Sequence, residues 1–109
     1  MSRTTKRTSG RIEFAAVAAA ARARLPELVR RWLPDGSRRG AEWVARNPTR
    51  NDRRAGSFKI NLRTGRWADF ATGERGGDAI SLAAHLFDLT QTDAARRIAA
   101  MLGIVDGAV

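Results

Sequence analysis

The alternation of apolar and polar positions divides the chain into helices at both ends and a strand-like middle. Residues 12–24 are rich in alanine, the best helix former, and Pro26 suits the first turn of a second helix carrying Leu28, Val29, Trp32 and Leu33 at helical spacing. Pro34-Asp35-Gly36-Ser37 ends that helix as a turn. From there the period changes to two. Residues 42–46 form a short candidate strand, and residues 57–62 alternate strictly, with Phe58, Ile60 and Leu62 on one face and Ser57, Lys59 and Asn61 on the other. Arg63-Thr64-Gly65 makes a turn, and residues 66–70 return as the partner strand. Helical spacing then resumes. Asp78 caps a helix offering Ile80, Leu82, Ala83, Leu86 and Phe87 for packing. Thr90 with Asp93 opens a last helix that ends near Gly103 and buries Ala95, Ile98 and Leu102. The pattern predicts an α+β fold: a small antiparallel sheet with one polar face, packed with N-terminal and C-terminal helices.

The 109 residues, 43% of them hydrophobic, suffice for one small core. The sequence divides into a flexible basic tail over 1–10, a helical segment over 11–33 and a sheet-bearing domain over 34–109, without internal repeats. The chain lacks cysteine, which removes disulfides and thiol chemistry and agrees with a reducing cytoplasm. No run approaches the roughly 18 apolar residues of a membrane span. A basic start followed by an alanine-rich stretch resembles a signal peptide, but Glu13, Arg22 and Arg24 interrupt it, so a cytoplasmic location is expected.

Charge sharpens the picture. The formal net charge is +9, and residues 1–54 carry all of it: fourteen Lys/Arg against five Asp/Glu, whereas residues 55–109 hold six of each. Such asymmetry points to a polyanion, of which nucleic acid is the commonest in the cytoplasm. Eighteen of the twenty basic residues are arginine, which forks onto phosphate and stacks on bases, although a GC-rich genome enriches arginine as well.

Two sets of residues are candidates for such binding. Arg38, Arg39, Arg50, Arg53 and Arg54 lie within seventeen positions and would contact phosphates, or else solvate a loop. On the polar face of the sheet, Lys59 and Asn61 with Arg63 and Arg66 at the turn would flank Trp67, assigned here to base stacking; the alternative is a place for Trp67 in the core. The glycine-rich stretch 73–78 lacks the Gly-Lys-Ser/Thr element of a phosphate loop, and Asp78 would put a carboxylate where phosphate would sit. Its glycines are expected to permit positive φ and close packing. His85 has neither a nucleophile nor an acid partner nearby in sequence, and the carboxylates are scattered, so neither catalysis nor a metal or cofactor is expected.

Asn47-Pro48-Thr49-Arg50, Gly56-Ser57-Phe58, the hairpin 59–67, Asp69-Phe70-Ala71-Thr72-Gly73 and Gly76-Gly77-Asp78 together resemble the N-terminal zinc ribbon of bacterial, phage and plasmid DNA primases. The resemblance spans residues 32–104. The family's four ligand positions, a Cys-Pro-x-His pair and a Cys-x-x-Cys pair, are matched by Asn47, Arg50, Asp69 and Thr72. Amide, guanidinium and hydroxyl groups cannot replace the soft ligands of structural zinc. The resemblance therefore implies a metal-free ribbon, its turns held by hydrogen bonds from Asn47, Asp69 and Thr72 and by packing of Trp43, Phe58 and Phe70. Asp69 and Arg50 would either close the former metal corner as an ion pair or be two unrelated solvated residues, and His85, the one histidine, is not at a ligand position. The polymerase and helicase domains of full primases are not present in these residues. The expected function is non-catalytic single-stranded DNA binding in replication or priming of a phage, plasmid or integrative element, with a primase, polymerase or helicase of that element as a protein partner. The alternative is an adaptor or inhibitor that docks on a replication or defence complex, with nucleic-acid contact incidental.

Overall fold

The computed structural model describes residues 13–49 and 56–104. Four helices and five strands follow in the order α1 (Phe14–Ala23), α2 (Leu25–Trp32), β1 (Ser37–Arg39), β2 (Glu42–Ala45), β3 (Phe58–Asn61), β4 (Trp67–Asp69), β5 (Arg75–Gly76), α3 (Ala79–Phe87) and α4 (Gln91–Leu102). The expected α+β architecture is present. The tail over 1–10, Ile12 and the arginines at 50, 53 and 54 lie outside the described residues, as does any Asp69–Arg50 pair.

The strands form one antiparallel meander in the order β1-β2-β3-β4-β5. The register of β3 against β4 follows from one short connection. Gly65 adopts φ +83°, which a side chain disfavours, and Asn61 accepts the backbone N–H groups of Arg63 and Thr64 at 2.9 and 3.1 Å. That turn places Ile60 opposite Trp67 and Phe58 opposite Asp69. On the same face Trp43 pairs with Ile60 and Ala45 with Phe58. This apolar face carries the core, in which Phe58, Ile60, Leu82 and Ile98 are wholly enclosed. Each such side chain contributes about 1.5–3 kcal/mol through burial.

The helices close over that face. Val17, Ala21, Leu25, Leu28 and Val29 supply the inner stripe of α1 and α2; α4 contributes Ala94, Ala95, Ile98 and Ala99. The caps form as the sequence predicts. Asp78 accepts the Ser81 N–H at 2.8 Å in a reciprocal capping box, and Thr90 Oγ1 accepts the Asp93 N–H at 3.0 Å. Gly103 ends α4 at φ +74°. Between α1 and α2, Arg24 grips the Glu27 carboxylate with Nε and Nη2 at 3.0 and 3.3 Å, holding that carboxyl below its ordinary range.

Three features differ from the sequence reading. Strand β1 occupies residues assigned to the turn and beyond it; all three are exposed, so no alternation betrays them. Strand β5 is a two-residue pairing inside the glycine-rich stretch. A Cβ on Gly76 would collide with the indole of Trp67 and the hydroxyl of Ser81, which accounts for the glycine by close approach rather than by positive φ. Phe70, expected in the core, is 70% exposed, because it lies one position past the buried Asp69 and so faces the opposite way.

Candidate nucleic-acid interface

With the helices on the apolar face, the other face of the sheet carries its polar residues in two cross-strand rows. Directly paired residues share a face, so Val44, Lys59, Ala68 and Arg75 form one row, and Arg39, Glu42 and Asn61 the next. Asn61 receives the backbone of Arg66, its N–H donating to the Arg66 carbonyl at 2.7 Å, which brings Arg66 to the end of the second row. A groove of about 540 Å³ runs across this face, and Glu42, Lys59, Asn61, Arg66, Phe70 and Arg75 line it. The ammonium of Lys59 lies 5.7 Å from the centre of the Phe70 ring. An exposed aromatic face beside a cation, with two arginines along the same groove, offers a stacking surface and phosphate contacts together.

The candidate residues divide accordingly. Lys59, Asn61 and Arg66 come together in the groove as expected. Arg63 is exposed on the adjoining turn, and Arg39 stands across from Glu42 at the neighbouring strand. Arg38 is opposite Trp43, hence on the other face, and its Nε donates to the Gly40 carbonyl at 3.1 Å. Trp67 also borders the groove but offers it little ring surface for the stacking role assigned to it. Trp67 is 6% exposed, packs edge-on to Phe58 with ring centres 5.8 Å apart, and donates from Nε1 to Ser81 Oγ at 3.0 Å. Its place opposite Ile60 leaves it on the apolar face. Phe70 takes its place as the available aromatic, and Glu42 and Arg75 join the groove without having been foreseen. Strict alternation along β4 would have found Phe70, since Trp67 and Asp69 turn inward together and Phe70 outward.

Beneath the sheet lies a polar corner. Asn47 and Asp69 are both wholly buried, and Asn47 Nδ2 donates to Asp69 Oδ2 at 2.9 Å. Two of the four positions that the ribbon resemblance aligns with metal ligands therefore touch through a hydrogen bond. Asn47 Oδ1 accepts from both the N–H and the hydroxyl of Thr49, at 2.9 and 2.7 Å, which fixes the orientation of the amide. Its Nδ2 consequently faces His85 Nε2 at 3.1 Å, a contact in which the amide donates when the ring proton is on Nδ1, and Thr49 Oγ1 lies 3.4 Å from the same ring nitrogen. His85, distant from these positions in sequence, lies at this corner: α3 carries it under β4, where its ring centre is 4.8 Å from that of Trp67. Asp69 Oδ1 accepts the Ala71 N–H at 2.9 Å, and the Asp69 carbonyl accepts the Gly73 N–H at 2.7 Å, closing the following turn. Thr72 is exposed, and among the described residues its hydroxyl bonds within that turn, donating to Glu74 Oε1 at 3.2 Å and accepting the Glu74 N–H at 3.3 Å. The corner is satisfied by hydrogen bonds, as a buried polar cluster must be.

No family model matches this chain. Comparison with curated proteins likewise returns no match. Among the described residues no group of three or more His, Cys, Asp or Glu side chains is placed to hold a metal ion, and no helix is long and apolar enough to cross a membrane.

Proposed function

We propose that this protein binds single-stranded DNA on the polar face of its sheet, without catalysis, as an accessory of replication or priming in a phage, plasmid or integrative element. The observation that carries the reading is the exposed Phe70 ring beside Lys59, in a groove whose other cations are Arg66 and Arg75. A base stacks on Phe70 while the three cations neutralise neighbouring phosphates; the stacking step alone contributes about 1–3 kcal/mol. A duplex hides its base faces and cannot use the ring. The replication setting comes from the zinc-ribbon resemblance of residues 47–78, and the cytoplasm from the absence of cysteine.

Fluorescence anisotropy with labelled single-stranded and duplex DNA across a salt series tests the proposal. Three phosphate contacts on a single strand give a slope of log K against log salt of about −2, at about −0.7 per contact. Replacing Lys59, Arg66 and Arg75 together with alanine removes that contribution. An unchanged slope in the folded variant overturns the assignment of the groove.

A docking role draws on a different surface. Phe87 is 42% exposed and meets Trp32 edge-on at 5.9 Å, an aromatic pair suited to a protein partner. Its sign is a stoichiometric complex that survives salt.

A further inference from the structure

The groove contains one carboxylate among its cations. Glu42 is half-buried on the polar face, and among the described residues its carboxylate has no hydrogen-bond or ion-pair partner. A carboxylate in a phosphate-binding groove weakens the attraction for the backbone, so phosphate binding gives it no purpose. Its cross-strand neighbours are Arg39 on β1, which makes no ion pair with it, and Asn61 on β3, with the Cβ atoms of such pairs about 4.5–5.5 Å apart. The Asn61 amide is oriented by its turn: Oδ1 accepts two backbone N–H groups, from Arg63 and Thr64, and Nδ2 is left to donate.

The pair thus presents two acceptor oxygens on Glu42 beside one donor nitrogen on Asn61. Guanine shows the complement along its Watson–Crick edge, with donors at N1 and N2 and an acceptor at O6. Thymine, cytosine and adenine each offer a donor at a single position of that edge, N3, N4 and N6 respectively, so none satisfies both carboxylate oxygens as N1 and N2 of guanine do. We infer that Glu42 and Asn61 select an unpaired guanine in the strand bound by the groove; the inference rests on the single-stranded DNA reading above. The backbone and Phe70 contacts would be indifferent to base identity, leaving discrimination to this pair.

The test measures anisotropy at low salt with short thymine strands in which one central base is guanine, inosine, adenine or cytosine, or is left as thymine. Guanine should bind about tenfold more tightly than thymine, in keeping with a good bidentate contact. Inosine, which lacks the N2 amine, should lose most of that advantage, and this arm needs no variant protein. Glu42→Gln should abolish the preference while binding the all-thymine strand more tightly, because a negative charge leaves the groove. Equal affinity for all central bases, in a protein that binds the thymine strand, overturns the inference and leaves the single-strand reading standing. A guanine preference that Glu42→Gln leaves intact overturns the assignment to this pair. Failure to bind any strand overturns the reading itself, and the inference with it.

Discussion

Replacing Asn47 with alanine is the sharpest perturbation of the polar corner beneath the sheet. The side chain is wholly buried, and its contacts among the described residues include Asp69 Oδ2 and His85 Nε2 at its Nδ2, and the Thr49 N–H and hydroxyl, which its Oδ1 accepts. An ordinary intramolecular hydrogen bond contributes about 1 kcal/mol net, and leaving a buried partner unsatisfied costs about 1–3 kcal/mol. Thr49 is exposed, so water replaces part of what it loses, whereas Asp69 is wholly buried and His85 half-buried. The sum is about 3 kcal/mol of destabilisation. In a domain of this size each kcal/mol moves Tm by about 4–8 °C, so the melting temperature should fall by roughly 12–24 °C. Thermal denaturation followed by far-ultraviolet circular dichroism reads the shift. A drop of less than about 5 °C would refute the reasoning, because the corner would then be dispensable to the fold.

Two further outcomes follow from the same packing. Gly76→Ala should cost about 1–3 kcal/mol, since its methyl group meets the Trp67 indole and the Ser81 hydroxyl; an unaltered urea midpoint would contradict the close approach. Nitrogen NMR of His85 should find the ring proton on Nδ1, the nitrogen 3.9 Å from Glu74 Oε2, with Nε2 accepting from Asn47; a proton on Nε2 would contradict the orientation assigned to that amide.

Local signals carried much of the architecture. The hairpin turn at Asn61 to Arg66, the Asp78 and Thr90 caps and the alternation of Phe58 to Leu62 each depend on neighbours in sequence, and each appears in the structure. What escaped depends on pairing across the sheet or between distant elements. Trp67 looked like a platform residue because basic side chains surround it in sequence, yet its cross-strand partner Ile60 decides its face. Phe70 is assigned to packing by the ribbon resemblance, which places it in a turn that needs holding without metal. His85 reaches Asn47 across thirty-eight positions, through the docking of α3 under β4, and nothing local announces it. Strand β1 is exposed throughout and β5 spans two residues, so neither has a periodicity to detect.

The Phe70→Ala variant, measured against wild type for affinity to a short single-stranded thymine oligonucleotide, tests the central claim most directly. Phe70 is 70% exposed, so its removal should leave the fold and its melting temperature intact. The account predicts a loss of affinity of about 1–3 kcal/mol, or roughly five- to 150-fold, with duplex binding unchanged. A folded Phe70→Ala protein that binds the strand as tightly as wild type would contradict it.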